Sequence, residues 1–445
     1  MGVYQRTRKI GYTHHNLVPI ADGFAFSEES LLRLKVMNVP RTVRTRMQGR
    51  LRRDFTLREV EFELTSGVGS LHVTAALNDA KLTLTLRTGK ATSQQVLDVT
   101  EPVYLPWTLR ASVRARTLQA GQQRDAVVFD PATLGKQHIR LTVGSWEAVP
   151  GENPEVHGWR VREELRGGLS TTAWVGTTGR VFREEGPMGL VLVRQTAEQA
   201  TSQDWPTQTA LDLVASAAVP VARPILEPRR RTSLQVRLSG IALDRVPTDD
   251  EQVRRGSLLT VTRSDLSRLR SYALPYEEVA HAGDLAATPF LQVRHPRIQA
   301  LVREVMGGSR DALQVAMRLD DWVYGHLRKV PTISIPNALQ VLDMGEGDCN
   351  EHAVLYATLA RAAGIPTRIV AGTVYVDGSF SYHAWCKVWL GRWVSVDPAL
   401  HQFPADATHI TFVIGGPEQH VAMLGIIGRL GVEVVGAFGG GDRPS

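Results

Sequence analysis

Apolar and polar side chains alternate along much of the first 200 residues, in short segments separated by glycine, asparagine and aspartate. An alternation with a period of two is typical of antiparallel strands that bury one face. The clearest segments are Thr56–Leu64, Ser70–Ala76, Lys81–Arg87, His138–Val143, Gly158–Leu165, Thr171–Gly176, Arg180–Glu184 and Leu190–Gln195. The pattern predicts an antiparallel β domain over residues 1–200, folded as a twisted sheet or a half-barrel.

The pattern becomes mixed over residues 201–285. The segment Asp204-Trp205-Pro206 and the prolines at positions 220, 224 and 228 indicate an extended connection. Two short runs rich in Leu, Val and Thr, Ser233–Leu238 and Leu258–Thr262, indicate strands within it. We therefore predict that residues 201–285 are an extended linker with short strands.

Helical spacing of apolar residues begins after Pro296. Two consecutive segments place apolar residues every three or four positions, which is typical of amphipathic helices. The first helix is predicted to end at Gly307-Gly308, and Ser309 is the predicted N-cap of the second. The apolar positions are Ile298, Leu301, Val302 and Val305, then Leu313, Ala316, Met317, Trp322 and Val323. These helices and the strands after them predict an α+β domain over residues 286–445.

Composition narrows the class of protein. The chain has 445 residues, of which 43% are hydrophobic and 22% charged, as in soluble globular proteins of two or three domains. No apolar run reaches the roughly 18–20 residues that cross a bilayer. The net charge is +6, but the arginines are dispersed apart from Arg229-Arg230-Arg231. Nucleic-acid-binding proteins usually concentrate basic residues in one patch, so we expect no nucleic-acid partner.

The two cysteines, Cys349 and Cys386, form no disulfide framework and no paired metal motif. Cys349 follows a glycine-rich turn and precedes a run of alanine, leucine and tyrosine that ends at Gly364 and Pro366. Such a run predicts a buried helix with Cys349 at its N-terminus. The N–H groups and the dipole of a helix start favour an anion, so we expect a lowered thiol pKa and a thiolate nucleophile.

Three strands are predicted after this helix: Thr367–Val376, Phe380–Leu390 and Arg392–Val396. The second and third are joined by a tight turn and are therefore expected to be antiparallel neighbours. With the turn at Gly391-Arg392, His383 lies opposite Leu400, which places Asp397 within the ~7–8 Å reach of a diagonal pair. A thiol, an imidazole and a carboxylate are the groups of a nucleophile, a general base and an orienting acid.

The segment Gly345–Leu400 resembles the transglutaminase-like superfamily of bacterial proteins. The resemblance rests on a Gly-x-Cys helix start, a Gly-Ile-Pro-x-Arg turn, a Tyr-His-Ala-Trp strand and a Trp-x-x-x-Asp-Pro strand. It implies a papain-like (transglutaminase-like) α+β catalytic domain. It also implies Cys349 as nucleophile, His383 as general base and acid, and Asp397 as orienting carboxylate.

The opening residues GVYQRTRKIGY and the β region after them resemble larger bacterial members with an envelope β domain. This implies an extracytoplasmic protein, either periplasmic or membrane-anchored, whose targeting segment is missing from this chain. It also implies a protein or peptide substrate and an envelope or lipid partner for the β domain. The three catalytic groups require no cofactor, and no calcium loop of the Asp-x-Asp-x-Asp-Gly type is present.

The remaining polar residues near this segment have less definite roles. The backbone N–H of Cys349 is the predicted oxyanion donor, and Asn337 and Asp348 are alternative side-chain donors. Trp385 is either a wall of the substrate cleft or part of the core. The other predictions are a helix-cap role for Glu351, a surface or hydrogen-bonded role for His352, packing for Cys386, and loop hydrogen bonding without a metal for His401, Asp406, His409 and His420.

Three functions remain open at this stage. The favoured one is cysteine-dependent acyl transfer on a carboxamide, through a thioester that is released to water or to an amine. The alternative is a non-catalytic envelope adaptor that uses the β domain for binding and the catalytic fold as a scaffold. An arylamine acyltransferase shares the three groups but does not account for the long β region.

Overall fold

The computed structural model describes residues 1–36, 39–66, 69–88, 91–114, 119–165, 169–202, 212, 217–332, 337–416 and 419–439. The chain forms two compact units, Met1–Leu213 and Val214–Ser445. In the described ranges, no helix has the combination of length and apolar character that a membrane span requires. The segment Asp204-Trp205-Pro206, predicted as part of an extended connection, lies outside the described residues.

Fifteen strands dominate the first unit. They are β1 (Gly2–Gln5), β2 (Arg8–Ile20), β3 (Gly23–Val36), β4 (Val39–Arg52), β5 (Leu57–Ser66), β6 (Gly69–Asn78), β7 (Lys81–Thr88), β8 (Ala91–Asp98), β9 (Val103–Tyr104), β10 (Gln123–Asp130), β11 (Gly135–Ala148), β12 (His157–Leu165), β13 (Ser170–Val175), β14 (Val181–Glu185) and β15 (Leu190–Val193). The short helices are α1 (Thr108–Arg114) and α2 (Ala197–Thr201).

All fifteen strands belong to one sheet, in the order β8-β7-β6-β5-β4-β3-β2-β1-β15-β14-β13-β12-β11-β10-β9. Neighbouring strands of this sheet are antiparallel, except that β9 and β10 are parallel. In β5, Val60 and Phe62 are buried, whereas Glu59, Glu61 and Glu63 are exposed. The sheet therefore confirms the predicted N-terminal antiparallel β domain. Successive side chains of a strand point to opposite faces, so the alternation of apolar and polar residues places the apolar ones on the buried face.

The second unit combines strands and helices. Its strands are β16 (Val219–Pro220), β17 (Ser233–Ser239), β18 (Gln252–Arg255), β19 (Leu258–Thr262), β20 (Arg328–Lys329), β21 (Glu346–Gly347), β22 (Thr367–Val376), β23 (Ser379–Trp389), β24 (Trp393–Val396), β25 (Ile410–Ile414) and β26 (Gly431–Phe438). Its α-helices are α3 (Pro296–Met306), α4 (Ala312–His326), α5 (Ala338–Met344) and α6 (Cys349–Ala362). The mixed α+β class that the sequence predicts is thus confirmed.

Two sheets organise this unit. One has the order β16-β23-β22-β25, with β24 paired to β23. The other has the order β18-β19-β17-β26. The small pair β20–β21 is parallel and joins the segment before α5 to the turn that precedes α6. The first sheet and helix α6 together position the candidate site, since α6 packs against β22 and β23.

The stretch predicted as a linker differs in the structure. The boundary between the two units lies at residues 213 and 214, and residues 217–285 belong to the second unit. Strand β17 pairs with β19 and also with β26, nearly 200 residues further along the chain. Leu234 and Val236 on β17 are fully buried. Local sequence patterns do not reveal a pairing between strands so far apart along the chain, so this stretch was predicted as a linker.

The helices begin and end close to the predicted positions. Gly307 adopts a left-handed conformation at the end of α3, as a helix C-cap often does. The N-cap of α4 is Asp311, whose side chain accepts a hydrogen bond from the Gln314 N–H at 2.8 Å. The predicted cap, Ser309, is therefore wrong by two residues. A short aspartate side chain reaches the N3 amide as serine does, so the pattern alone did not separate the two.

Candidate active site

Cys349 is the first residue of helix α6, as the sequence predicts. Asp348 is the N-cap and Glu351 completes a capping box, in which each side chain accepts a hydrogen bond from the other residue's backbone N–H. Glu351 is fully buried and also accepts a hydrogen bond from Thr332 Oγ1 at 3.0 Å. This confirms Glu351 as a helix-cap carboxylate, and it fixes the backbone of Cys349 at the helix start.

The thiol of Cys349 lies beside the backbone of strand β23. Its sulfur accepts a hydrogen bond from the N–H of Ala384, the residue after His383. Among the described residues, no hydrogen bond joins this sulfur to the His383 ring. Cys349 retains some solvent exposure.

The expected low thiol pKa is not found. Burial of the sulfur and the charge of Asp348 raise the pKa of Cys349 well above its ordinary value, while the Ala384 N–H opposes the rise. The helix start favours the thiolate, but desolvation and the nearby carboxylates disfavour it more strongly. A raised pKa favours the neutral thiol over the thiolate.

His383 and Asp397 are brought together by the pairing of β23 with β24. Cys386 lies opposite Val396 in this antiparallel pair, one residue from the predicted register. Asp397 follows β24 directly, and its Oδ2 atom lies 2.7 Å from His383 Nε2. The predicted diagonal neighbours are therefore in direct hydrogen-bond contact.

Asp397 is fully buried and accepts four hydrogen bonds. The backbone N–H groups of Ala399 and Leu400 donate to Oδ1 at 2.9 and 3.0 Å. His383 and His409 lie against Oδ2, at 2.7 and 3.0 Å. Burial alone would raise the pKa of the Asp397 carboxyl, but the charges and hydrogen bonds of the two histidines hold it well below its usual range.

The ionised state of Asp397 determines the tautomer of His383. An ionised carboxylate only accepts hydrogen bonds, so the proton of the neutral His383 ring is on Nε2. Nδ1 then carries the lone pair, and it has no hydrogen-bond partner among the described residues. His383 thus presents an unprotonated nitrogen, which is the state that a general base requires.

His409 is the functional candidate that the sequence did not identify. Its side chain is almost fully buried and contacts two carboxylates, those of Asp397 and Asp406. Burial would lower the pKa of His409, but its hydrogen bonds to the two aspartates and their charges raise it to about 10. The pair Asp406 and His409, three residues apart, was an available signal. The contact with Asp397 was not, because it depends on β25 lying in the same sheet as β23.

Trp385 does not line an open cleft. Its side chain is fully buried, with its ring 6.2 Å from that of His383 and 5.1 Å from that of His409. Of the two roles predicted for Trp385, a wall of the substrate cleft or part of the core, the structure supports the second, with the ring packed against the two histidines. Cys386, on the opposite face of β23, donates from Sγ to the carbonyl of Ala353 at 3.3 Å, in agreement with its predicted packing role.

The three candidate donors to an oxyanion differ in whether they are already used in local hydrogen bonds. The Asn337 side chain accepts from Gln340 N–H and caps α5, and Asp348 caps α6, so both are used locally. Cys349 N–H is at the first position of α6 and has no hydrogen-bond partner in the described part of the chain. Such amides at a helix start point outward and suit a developing negative charge.

Two groups of side chains offer atoms close enough for a metal ion: His383 with Asp397 and His409, and Asp320 and Asp321 with His401. In the first group the short N–O distances are those of hydrogen bonds, and each carboxylate oxygen is already used. In the second group His401 Nε2 lies 2.9 Å from Asp321 Oδ1 on the surface. Hydrogen bonding accounts for the atoms of the first group and for the contact between His401 and Asp321 in the second.

The other predicted histidines make local contacts. His420 Nε2 lies 3.1 Å from the Gly415 carbonyl. His352 is fully buried rather than on the surface, and its Nδ1 lies 2.6 Å from the Asp348 carbonyl. These contacts stabilise a loop and the first turn of α6.

Residues 299–398 match the model of the transglutaminase-like superfamily. No curated protein sequence matches the chain. Among solved structures, a protein from Cytophaga hutchinsonii provisionally named a cysteine protease is 13% identical, covers 47% of this chain and 84% of its own, and has a TM-score of 0.32. A beta-barrel-like protein of a domain of unknown function from Brucella abortus is 12% identical. The match covers 43% of this chain and 92% of that protein, with a TM-score of 0.34. A protein from Parabacteroides distasonis provisionally named a protease is 11% identical. The match covers 80% of this chain and 68% of that protein, with a TM-score of 0.22.

TM-scores of this size do not establish a common fold, so the family assignment rests on the sequence model. The matched region contains Cys349, His383 and Asp397. The superfamily is one of cysteine-dependent acyl transferases and hydrolases. Residues 299–398 are a domain of the transglutaminase-like superfamily.

Proposed function

We propose that the second unit catalyses acyl transfer from a carboxamide, with Cys349 as nucleophile, His383 as general base and acid, and Asp397 as orienting carboxylate. The observation that carries this proposal is the 2.7 Å contact between His383 Nε2 and Asp397 Oδ2. It leaves His383 Nδ1 as the proton acceptor on the strand against which the Cys349 sulfur lies. The substrate is a glutamine side chain or a peptide bond of a protein or peptide.

The reaction has two halves. First, the Cys349 sulfur bonds to the carbonyl carbon as its proton passes to His383 Nδ1, and the Cys349 N–H donates to the developing oxyanion. The C–N bond then breaks, His383 returns the proton to the leaving amine, and a thioester remains. Second, water or an amine attacks the thioester while His383 takes its proton, the C–S bond breaks, and His383 returns the proton to the Cys349 sulfur. Water gives an acid and an amine gives a new amide.

One observation favours the alternative, a non-catalytic adaptor. The Cys349 thiol has a raised pKa and is hydrogen-bonded to a backbone amide rather than to the His383 ring. The extracytoplasmic location and the envelope or lipid partner of the β domain also remain proposals, and they are common to both functions.

The deciding experiment traps the acyl-enzyme. The protein is incubated with a panel of glutamine-containing peptides, quenched in acid, and analysed by mass spectrometry of the Cys349 peptide. We expect a thioester on Cys349 together with release of ammonia or an amine. Cys386→Ala is the matched control, because this buried thiol lies on the opposite face of β23 and should leave the adduct unchanged. Full amide turnover by a folded Cys349→Ala variant would refute the proposal, and absence of turnover by the wild type would favour the adaptor.

A further inference from the structure

The ring of His409 lies between two buried carboxylates. Nε2 is 3.0 Å from Asp397 Oδ2, and Nδ1 is 3.3 Å from Asp406 Oδ1 and 3.1 Å from the Asp406 carbonyl. Only 1% of the His409 side chain is exposed, and 4% of the Asp406 side chain. Solvent therefore plays little part in stabilising these charges.

The contacts determine the charge of the ring. Both nitrogens of His409 point at oxygens that only accept hydrogen bonds, so a neutral ring would place one lone pair against a carboxylate. A ring with a proton on each nitrogen satisfies both contacts. Asp406 is held in place by further donors, since its Oδ1 also accepts from the N–H and the hydroxyl of Thr408 at 2.8 and 2.6 Å.

Other charged groups near His409 are already paired. His383 lies 6.2 Å away between ring centroids. Lys387 and Glu251 line a small void next to His409 and Asp406. Lys387 is bonded to Glu251 at 3.2 Å and to Asp249 at 2.5 Å, so it is not the counter-ion of Asp397. His409 directly contacts the Asp397 carboxylate, with Nε2 3.0 Å from Oδ2.

We propose that His409 is a positioning residue of the candidate site: as a permanent imidazolium bridging Asp397 and Asp406, it orients Asp397 under His383 and limits the negative charge that His383 experiences. The inference rests on the proposed function for its catalytic meaning. With His409 charged, the resting cluster of Asp397, Asp406 and His409 carries one net negative charge. Without this cation it carries two, which stabilises the protonated form of the His383 ring and leaves less of the unprotonated ring that a general base requires.

The first test needs no activity. In full-length protein with ¹⁵N-labelled histidine, the His409 signal is assigned by its loss in His409→Gln. We expect both ring nitrogens of His409 to be protonated at pH 8, whereas His420, whose burial lowers its pKa to about 4, is neutral there. A neutral His409 ring at pH 8 would overturn the proposal.

The second test follows His383 in the same samples. In His409→Gln, the pH at which His383 gains its second ring proton should be about one unit higher than in the wild type, because a cation some 6 Å away has been lost. His420→Gln is the matched control and should leave the titration of His383 unchanged. The acidic limb of the pH profile of kcat/KM should move by the same amount. An unmoved His383 titration in a folded His409→Gln protein would overturn the proposal.

These outcomes separate the inference from the proposed function. If no carboxamide is turned over, the proposed function fails, while the two NMR titrations still decide the role of His409. If His409→Gln does not fold, Asp406→Asn replaces it. That variant should let His409 lose its second ring proton at a lower pH than in the wild type, and an unchanged titration would overturn the proposal.

Discussion

His383 Nε2 lies 2.7 Å from Asp397 Oδ2, and the second oxygen of the same carboxylate is held by two backbone amides. The carboxylate is therefore fixed by the chain itself rather than by the histidine that it orients. If His383 acts as the proposed general base, this carboxylate holds its ring in place without help from a substrate. Such preorganisation is what makes an orienting group effective.

Asp397→Asn tests this relationship. We expect kcat to fall by about 10²–10⁴, because an amide at this position neither stabilises an imidazolium nor selects the tautomer with a free Nδ1. Initial rates with the peptide identified by acyl-enzyme trapping measure the effect. Asp321→Asn is the matched control, since Asp321 is exposed and contacts His401. A loss of less than tenfold in Asp397→Asn would rule out the orienting role.

The reactivity of Cys349 should depend on pH in a defined way. Burial and the adjacent carboxylate of Asp348 raise the pKa of its thiol, so alkylation by iodoacetamide should be slow at pH 7 and still be increasing above pH 8.5. Peptide mass spectrometry measures modification of each cysteine separately. Cys386 is fully buried and serves as the internal control, with no adduct expected in the folded protein. Fast alkylation of Cys349 that does not vary between pH 6 and 8 would show a resting thiolate instead.

His409 should stabilise the fold in a pH-dependent manner. Its pKa is raised to about 10 in the folded chain, from about 6.5 when unfolded, so its contribution is complete below pH 6.5 and lost as the pH rises towards 10. The difference in unfolding free energy between wild type and His409→Gln should therefore shrink across that range. Urea titrations at a series of pH values measure it.

His420→Gln provides a control of opposite sign. Burial lowers the pKa of His420 to about 4, so its folded state favours the neutral ring. Its contribution is present above pH 6.5 and is lost as the pH falls towards 4. If the two variants showed the same pH dependence, the charge assigned to His409 would be incorrect.

Lys387 should be important for the stability of the second unit. Its side chain is 3% exposed and contacts Asp249 and Glu251. Lys387→Met should reduce the unfolding free energy by about 3–5 kcal/mol, because it leaves two carboxylates buried without their cation. Denaturant unfolding followed by tryptophan fluorescence measures the change.

Arg237→Met is the matched control for Lys387. Arg237 pairs with Glu433 at 2.8 Å, but both side chains are more than half exposed. Solvent screens such a pair, so little change in stability is expected. Equal effects of the two substitutions would mean that burial does not determine the strength of these ion pairs.

Local patterns in the sequence were sufficient for much of the site. The run that follows Cys349 predicted a buried helix, and residues 351–360 of α6 are all buried. The tight turn after β23 predicted that His383 and Asp397 would meet, and they do. These predictions succeeded because each depends on residues within one helix or one hairpin.

Non-local contacts explain the predictions that failed. The pairing of β17 with β26 made an apparent linker part of a folded unit. The thiol pKa of Cys349 depends on which groups surround it in three dimensions, and so does the choice between the two roles that the sequence left open for Trp385. Asp348 is adjacent to Cys349 in sequence, but the burial of Cys349 and Trp385 comes from parts of the chain that are distant in sequence.

The sequence by itself indicated the candidate residues Cys349, His383 and Asp397 and most of the strands and helices, because periodicity, caps and turns act over a few residues. Only the tertiary structure decided that His409 joins Asp397, that the pKa of the Cys349 thiol is raised, and that Trp385 packs behind the histidines. Charge, burial and hydrogen bonding at a site are sums over all neighbouring groups, and the sheet assembles those neighbours from strands far apart along the chain.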